Sequence, residues 1–321
     1  MNVEGRPPIL AILGPTATGK SALGIELALR RGGEIISCDS TAVYRGFDIG
    51  TDKVPLAQRR GIPHHLIDVV EPTEEYTAAR YASDAVAVIE QIYQRGRWPI
   101  IVGGTGFYYR ALVRGLFPGP SADANMRNRL DAIAGRRGVE FLHRMLNRVD
   151  PPSAARIQPR DLKRMVRALE VFFLTGTPLT DHFAATVSPL AGYRTVAVAL
   201  SPPMTLIAER VAKRVDAQFE QGLLDEIRGL LARGVPETAR PFGGLVYRQA
   251  LEHLHGVRNE SDTRDLITRE NRHYARRQLI WFRKEPNLVW LQSLGESPDA
   301  LTAVEALLDT FEQEIKRSGE L

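Results

Sequence analysis

The chain has 321 residues, 44% hydrophobic and 25% charged, which excludes a wholly disordered protein and, at about 100–200 residues per domain, favours two domains. Its single cysteine, Cys38, excludes a disulfide framework and a cysteine-based zinc site, and no apolar run approaches the ~18 residues of a membrane span. The net charge is +4, and lysine supplies only six of the 42 basic residues; the arginine excess fits phosphate binding but also a GC-rich coding bias.

The first part of the chain alternates short apolar runs with helical patterns. Buried strands are predicted at Ile9–Leu13, Glu34–Cys38 and Pro99–Val102, and one helix at Tyr76–Arg95. This alternation predicts an α/β fold, a P-loop NTPase-like parallel sheet flanked by helices. Phosphate-type ligands bind at the carboxyl ends of such strands.

The pattern changes after Leu116, where Pro118, Gly119 and Pro120 interrupt regular structure. We predict a helical insertion domain at residues 117–189, within a core formed by 1–116 and 190–321. The core resumes with predicted elements in the following order: strand Thr195–Leu200, helix Pro203–Arg233, a turn at Gly243-Gly244, helix Thr263–Arg283, strand Asn287–Leu291 and helix Ala300–Lys316.

A phosphate-binding loop follows the first strand and opens a helix. It matches G-x-x-x-x-G-K-[ST] in full, with the residues Gly14, Pro15, Thr16, Ala17, Thr18, Gly19, Lys20 and Ser21. Glycines let backbone N–H groups surround an anion, and the helix N-terminus adds free N–H groups and a positive dipole end. Lys20 would reach the outer phosphate, and the Ser21 hydroxyl would bind Mg²⁺.

Asp39 ends the second strand, so it is expected at the same sheet edge as the loop. There it would serve either as a base towards an acceptor or as a helix N-cap, and the sequence leaves the two open. Leu66–Asp68 is the nearest competing acidic segment, and it is interpreted as a strand edge. The adjacent His64-His65 pair is interpreted as packed or solvent-facing rather than catalytic.

Further basic and glycine-rich segments lie later in the chain. Gly103–Gly106 form a second glycine loop after a strand, while Arg210, Lys213 and Arg214 share one helix face. Residues 264–284 carry a net charge of +5 with interleaved aromatics, which suits nucleic-acid binding. A solvated helix face is the alternative interpretation of each basic segment.

Seven segments together resemble the tRNA dimethylallyltransferases, and they occur in that family's order from about Pro8 to Leu291. They are GPTATGKSALGIELA, SCDSTAVYRGFDIGTDK, IPHHLIDVVEPTEEYTAARY, PIIVGGTGFYYRALVRGL, DLKRMVRALEVFFLTGTPLT, GLVYRQALEHL and RRQLIWFRKEPNLVWL. The eukaryotic branch carries a zinc finger that a chain with one cysteine cannot form. The resemblance is therefore to the bacterial type.

The resemblance implies transfer of a dimethylallyl group from dimethylallyl diphosphate to N6 of adenosine 37 of tRNA, with Mg²⁺. Gly14–Ser21 would hold the donor diphosphate with Lys20 and Arg210, and Asp39 would take the proton from the adenine amine. The residues that would contact tRNA are Asp39, Ser40, Thr41, Ala42, Thr105, Arg127, Lys163, Arg164, Met165, Val166, Arg167, Gly243, Gly244, Leu245, Val246, Tyr247, Arg248, Arg276, Arg277, Gln278, Leu279, Ile280, Trp281, Phe282 and Arg283.

Three other functions share parts of these patterns. A P-loop small-molecule or nucleotide kinase shares the loop, and an adenylate isopentenyltransferase shares the core. A non-catalytic RNA-binding protein gated by a nucleotide shares the basic segments. The expected partners are the tRNA anticodon stem-loop and dimethylallyl diphosphate, with no membrane. We expect a cytoplasmic protein, because the N-terminus lacks a secretory pattern. We also expect a monomer.

Overall fold

A computed structural model describes residues 7–117 and 119–319. Two compact units are formed: one by Met1–Val113 with Leu190–Leu321, the other by Arg114–Pro189. The second unit begins three residues before the predicted insertion and ends at the same residue. Residues 1–6, 118 and 320–321 of the predicted domains, including Pro118 of the predicted breaker cluster, lie outside the described residues.

The six strands found in the described residues belong to the first unit and form one parallel sheet. They are β1 (Ile9–Leu13), β2 (Gly33–Cys38), β3 (His64–His65), β4 (Trp98–Gly103), β5 (Thr195–Leu200) and β6 (Val289–Leu291). Their order across the sheet is β3-β2-β4-β1-β5-β6. The predicted α/β fold with a parallel sheet is confirmed, and β1 and β2 flank β4 at the centre of the carboxyl edge.

Thirteen helices are formed within the described residues. They are α1 (Lys20–Arg31), α2 (Ala78–Gln94), α3 (Gly106–Arg114), α4 (Ala124–Arg137), α5 (Val139–Val149), α6 (Pro151–Arg156), α7 (Leu162–Thr175), α8 (Leu179–Ala184), α9 (Met204–Glu220), α10 (Leu223–Ala232), α11 (Tyr247–Leu254), α12 (Glu260–Phe282) and α13 (Pro298–Gly319). Two short 3₁₀ turns, Leu56–Arg59 and Arg240–Gly243, complete the regular structure. No helix in this part of the chain combines the length and apolar character that a membrane span needs.

The main core lies on one face of the sheet, where α1 and α13 cover the central strands. Leu10 and Ile12 of β1, Leu23 and Leu27 of α1, and Val304 of α13 are all buried in this cluster. The apolar face of α1 repeats every three to four residues, which is why a helix rather than a strand follows the phosphate loop. Packing against the sheet fixes the direction in which the first turn of α1 points.

Several predicted boundaries differ from the structure. The single helix predicted at Pro203–Arg233 is wrong: α9 ends at Glu220, and Gly222, with φ of 93°, separates it from α10. Glycine reaches this left-handed conformation without strain. The helical spacing of apolar residues continues across the break, so the sequence pattern does not reveal it. The strand predicted at Asn287–Leu291 is also shorter, since Asn287 has φ of 60°.

The histidine pair has structural partners. His64 Nδ1 lies 2.8 Å from the carbonyl oxygen of Ile62, and His65 Nε2 lies 2.7 Å from a carboxylate oxygen of Glu34. Glu34 also receives both guanidinium N–H groups of Arg95, at 2.9 and 2.7 Å. His65 therefore belongs to a polar network at the start of β2, away from the carboxyl edge of the sheet, while His64 bonds to the backbone beside it.

Candidate active site

The predicted phosphate loop joins the end of β1 to the start of α1. Gly14 has φ of 137°, and a Cβ there would lie 2.7 Å from the carbonyl oxygen of Leu200. Gly19 has φ of 83°, so both fixed glycines of the motif occupy backbone positions that exclude other residues. The Thr18 hydroxyl donates to the carbonyl oxygen of Pro15 at 2.9 Å and closes the loop. The first turn of α1 thus presents N–H groups at the sheet edge, as an anion site requires.

Lys20 folds back over this loop. Its Nζ donates to the carbonyl oxygen of Pro15 at 2.5 Å. Burial, and then the positive charge of Arg214, lower the pKa of Lys20 to about 7, while the Asp39 carboxylate acts in the opposite direction. Without an anion beside it, this ammonium group is therefore only partly protonated at neutral pH.

The shifted pKa predicts a pH-dependent affinity for diphosphate. A bound anion raises the pKa of Lys20 again, so binding takes up a proton above about pH 7. The affinity for diphosphate is highest below that pH, and it falls by up to about tenfold per pH unit as the pH rises. Calorimetric titration of Mg²⁺-diphosphate from about pH 6 to about pH 9 measures this.

Lys20→Gln is the control, because it keeps the titration of diphosphate itself and removes only that of the lysine. The wild-type affinity should fall more steeply with pH than that of the variant. Parallel curves would show that Lys20 stays charged without ligand.

Two arginines of α9, one turn apart, contact the same loop. Arg210 Nε donates to the carbonyl oxygen of Ala17 at 2.8 Å, and its Nη2 lies 2.6 Å from Glu296 Oε1. Arg214 Nη1 donates to the Thr16 hydroxyl at 2.6 Å and lies 2.9 Å from Asp52 Oδ2. Two guanidinium groups therefore flank the loop, each held by a carboxylate from another segment.

Sequence reasoning identified only part of this arrangement. The sequence indicates Arg210 as a phosphate ligand, and the i, i+4 spacing adds Arg214. Lys213, which was grouped with them, is exposed. Asp52 and Glu296 were missed, because nothing in their local sequence relates them to the loop. Burial raises the pKa of Asp52, and the charge of Arg214 opposes that shift.

Asp39 lies immediately after β2, where it fixes a turn rather than capping a helix, and its role as a base stays a prediction. Its Oδ1 accepts hydrogen bonds from the Thr41 N–H at 2.8 Å, the Thr41 hydroxyl at 2.6 Å and the Ala42 N–H at 3.3 Å. This oxygen fixes the turn after the strand. No hydrogen bond reaches Oδ2 within the described residues, so the second oxygen can accept a proton.

The second glycine loop lies between Asp39 and the phosphate loop, because β4 pairs with both β2 and β1. The Thr105 N–H donates to the carbonyl oxygen of Cys38 at 3.1 Å, and its hydroxyl accepts the Ser40 N–H at 3.0 Å. A Cβ at Gly103 would lie 2.1 Å from that Cys38 oxygen. Burial raises the pKa of the Cys38 thiol to about 12, so Cys38 has a structural role here.

Helix α12 crosses this edge of the sheet with one buried face and one exposed face. The predicted run of RNA contacts from Arg276 to Arg283 is therefore wrong for its buried members. The side chains of Gln278, Leu279 and Phe282 are buried and cannot face RNA. Arg110 covers one face of Trp281, with its guanidinium carbon 4.2 Å from the ring centroid. The exposed members are Arg276, Arg277, Ile280 and Arg283.

The predicted segment Gly243–Arg248 is divided in the same way. Val246 and Tyr247 are buried, so their side chains are not RNA-facing. The Tyr247 hydroxyl donates to Glu226 at 2.6 Å and accepts the Gly50 N–H at 3.0 Å. The exposed members, Gly243 and Arg248, remain candidates, with Gly244 and Leu245 partly buried between them.

In the second unit, four predicted contacts have structural partners instead. Met165 and Val166 lie in its core. Arg127 donates twice to Glu170, at 2.9 and 3.0 Å, and Arg167 donates once at 2.7 Å. These two arginines neutralise a carboxylate with no exposed surface. Of the predicted set, Lys163 and Arg164 are exposed. Ala42, in the first unit, is also buried.

The residues present fit a magnesium ion that arrives with a phosphate ligand. Ser21 is exposed in the first turn of α1, next to Lys20. Within residues 7–117 and 119–319, no group of three or more His, Cys, Asp or Glu side chains could hold a metal by itself. Mg²⁺ commonly takes one or two protein ligands and completes its shell with phosphate oxygens and water. Ser21 is the protein ligand expected for it.

Comparison with known proteins gives the family. A family model described as IPP transferase matches residues 42–285. The chain belongs to the IPP transferase family. Family membership makes it a prenyltransferase, as the resemblance implied. The matched range begins three residues after Asp39 and leaves the phosphate loop outside it.

Curated members of the IPP transferase family resemble the chain over nearly its whole length. The tRNA dimethylallyltransferase of Solibacter usitatus is 47% identical over 292 residues, which cover 91% of this chain and 95% of that protein. The protein of the same name from Geobacter metallireducens is 43% identical over 304 residues, covering 95% and 98%.

Solved structures of the family share the fold. The tRNA isopentenylpyrophosphate transferase of Bacillus halodurans is 34% identical, with a TM-score of 0.72, and the match covers 98% of this chain and all of that one. A eukaryotic dimethylallyltransferase acting on tRNA is 27% identical with a TM-score of 0.76, covering 93% and 77%. The parallel sheet and its surrounding helices are thus common to bacterial and eukaryotic members.

Proposed function

We propose that the chain transfers a dimethylallyl group from dimethylallyl diphosphate to N6 of adenosine 37 of tRNA. The products are N6-isopentenyladenosine and diphosphate. The names of its relatives support the tRNA acceptor. One observation carries the proposal: an anion cradle after β1 and a carboxylate oxygen after β2 share one sheet edge, with a glycine loop between them.

The donor side has the charges that the leaving group needs. As the bond between C1 of the dimethylallyl group and the diphosphate oxygen breaks, negative charge grows on the diphosphate. Lys20, Arg210 and Arg214 surround the loop and would stabilise that charge more strongly in the transition state than in the bound donor. When bound at Ser21, Mg²⁺ would neutralise further phosphate charge.

The acceptor side has a base. The adenine N6 amine forms the new bond to C1, and the proton that it loses would pass to Oδ2 of Asp39. Oδ1 stays engaged with Thr41, so the carboxylate keeps its orientation while its partner oxygen acts. The target base must leave the anticodon-loop stack to reach this oxygen.

The exposed cations of α12 provide a surface for the RNA backbone. Arg276 is exposed, and we predict that Arg276→Ala weakens tRNA binding and lowers the slope of log affinity against log salt by about one. Filter binding of tRNA at several salt concentrations measures the slope. Affinity for diphosphate should not change, because this side chain lies on the outer face of the helix.

Arg97→Ala is the matched control. Arg97 is also exposed, but it precedes β4 and so lies at the opposite edge of the sheet. Its loss should leave the salt slope unchanged. If both substitutions changed the salt slope of tRNA binding equally, the basic face of α12 would be a solvated surface rather than an RNA-binding surface.

The function is tested by offering labelled dimethylallyl diphosphate and Mg²⁺ to unmodified tRNA and, separately, to AMP. The proposal requires that label enters tRNA in the absence of ATP. Light scattering tests separately whether the protein is a monomer, as we propose. Label in AMP alone would assign the chain to the adenylate isopentenyltransferases. Label in neither, with ATP turnover on a small molecule, would assign it to the kinases.

A further inference from the structure

Gln278 joins the two glycine loops. Its Oε1 accepts the Thr16 N–H of the phosphate loop at 2.9 Å, and its Nε2 donates to the carbonyl oxygen of Gly104 at 2.9 Å. The residue is 7% exposed, so both ends of the amide are engaged inside the protein. One side chain from α12 therefore ties the donor side of the edge to the acceptor side.

The backbone around Gln278 is built for this close approach. A Cβ at Gly104 would lie 2.4 Å from Nε2 of Gln278 and 3.3 Å from the carbonyl oxygen of Gly14. No side chain fits at position 104 while the amide lies there. Because Gly104 has no side chain, the Gln278 amide can lie against it, and the two glycine loops can lie side by side.

The same face of α12 reaches the rest of the site. Trp281, one turn later, packs against Gly106, where an added Cβ would lie 2.2 Å from the ring. Tyr274, one turn earlier, lies near Asp39: burial and then that carboxylate raise the pKa of its hydroxyl. Tyr274, Gln278 and Trp281 thus line the inner face, while Arg276 and Arg283 are exposed.

We infer that Gln278 is a positioning residue, which sets the distance between the bound donor and the acceptor side of the site. This rests on the proposed function. Its amide neither touches the reacting atoms nor faces RNA; it fixes Thr16 relative to Gly104. Because Thr16 also receives Arg214, a shift of this loop would move both the diphosphate and one of its cations. Misplacement of reacting groups by about 1 Å costs about 100-fold in rate.

The test compares Gln278→Met and Gln278→Glu with wild type. Methionine keeps the length and loses both hydrogen bonds. Glutamate keeps the shape and the acceptor for Thr16, but turns an oxygen towards the Gly104 carbonyl. For both we expect kcat to fall by about 10–100-fold. The affinity for tRNA, measured by filter binding, should stay unchanged.

Gln249→Met is the matched control. Gln249 is also a buried glutamine of this unit, 1% exposed, and its amide donates to Glu270 at 2.6 Å rather than to either loop. The control should cost stability but leave kcat unchanged. Thermal unfolding of all three variants separates loss of fold from loss of positioning, and Gln278→Glu keeps the test valid if Gln278→Met does not fold.

The outcomes are distinct. A drop in tRNA affinity as large as the drop in kcat/KM would make Gln278 an RNA contact and overturn the inference. So would an unchanged kcat in a folded Gln278→Glu variant. If wild-type protein transfers no label, the proposed function fails. The inference is then judged by diphosphate affinity, which should fall in both Gln278 variants and stay unchanged in Gln249→Met.

Discussion

Asp39→Asn and Asp39→Ala should both lower the rate of transfer by about 10²–10⁴-fold while tRNA binding persists. Asparagine keeps an oxygen that can accept the Thr41 and Ala42 N–H groups, so the turn after β2 survives. Its amide cannot take a proton from N6. Single-turnover transfer, together with filter binding of tRNA, separates the two properties.

The pair of substitutions distinguishes the two functions of this carboxylate. If Asp39 only caps the turn, asparagine should restore most of the activity and only alanine should be inactive. A second pattern, equal loss of tRNA binding and of transfer in both variants, would mean that the edge itself has changed shape. Only loss of transfer in both variants, with tRNA bound, assigns the base to Asp39.

The largest effect on stability is expected at Glu170 in the second unit. Glu170→Ala should lower the free energy of unfolding by about 3 kcal/mol, because a buried carboxylate with four hydrogen bonds is removed. Those bonds come from Arg127, Arg167 and the Asp123 N–H. Hydrogen exchange of α4 and α7 measures the loss in this unit directly.

Glu140→Ala is the control, since Glu140 is an exposed acid in the first turn of α5 and its loss should cost less than about 1 kcal/mol. The effect of Glu170 should also depend on pH. Burial raises its pKa, but the hydrogen bonds outweigh burial and hold the pKa below the ordinary 4.5. Its stabilisation is therefore present above that pH and is lost as pH falls through the lowered value. An equal difference between wild type and variant in acid would contradict this account.

The strands were predictable because parallel strands buried on both faces read as continuous apolar runs. Ile9–Leu13 and Thr195–Leu200 have the predicted bounds. Helix continuity was harder to predict. The apolar period runs through Gly222, and only the backbone conformation of that glycine separates α9 from α10.

In the site, local motifs were predictable and contacts across the chain were not. Lys20 and Asp39 follow strands within their own segments, so sequence alone could bring them to one edge. Glu296 and Gln278 reach the phosphate loop from more than 250 residues away in sequence, and no local motif or residue spacing indicates these contacts. The basic-aromatic run of α12 indicated RNA binding, but only the helical period in the folded chain decides which of its residues face outwards.

The most direct test of the central claim is to map the modified base. Wild-type protein is incubated with dimethylallyl diphosphate, Mg²⁺ and an unmodified tRNA, and the RNA is digested and analysed by mass spectrometry. A matched tRNA carries guanosine at position 37. The account predicts one N6-isopentenyladenosine in the fragment 3′ to the anticodon, and none in the guanosine-37 tRNA or with Asp39→Asn. Equal modification of the guanosine-37 tRNA, or full activity of Asp39→Asn, would contradict it.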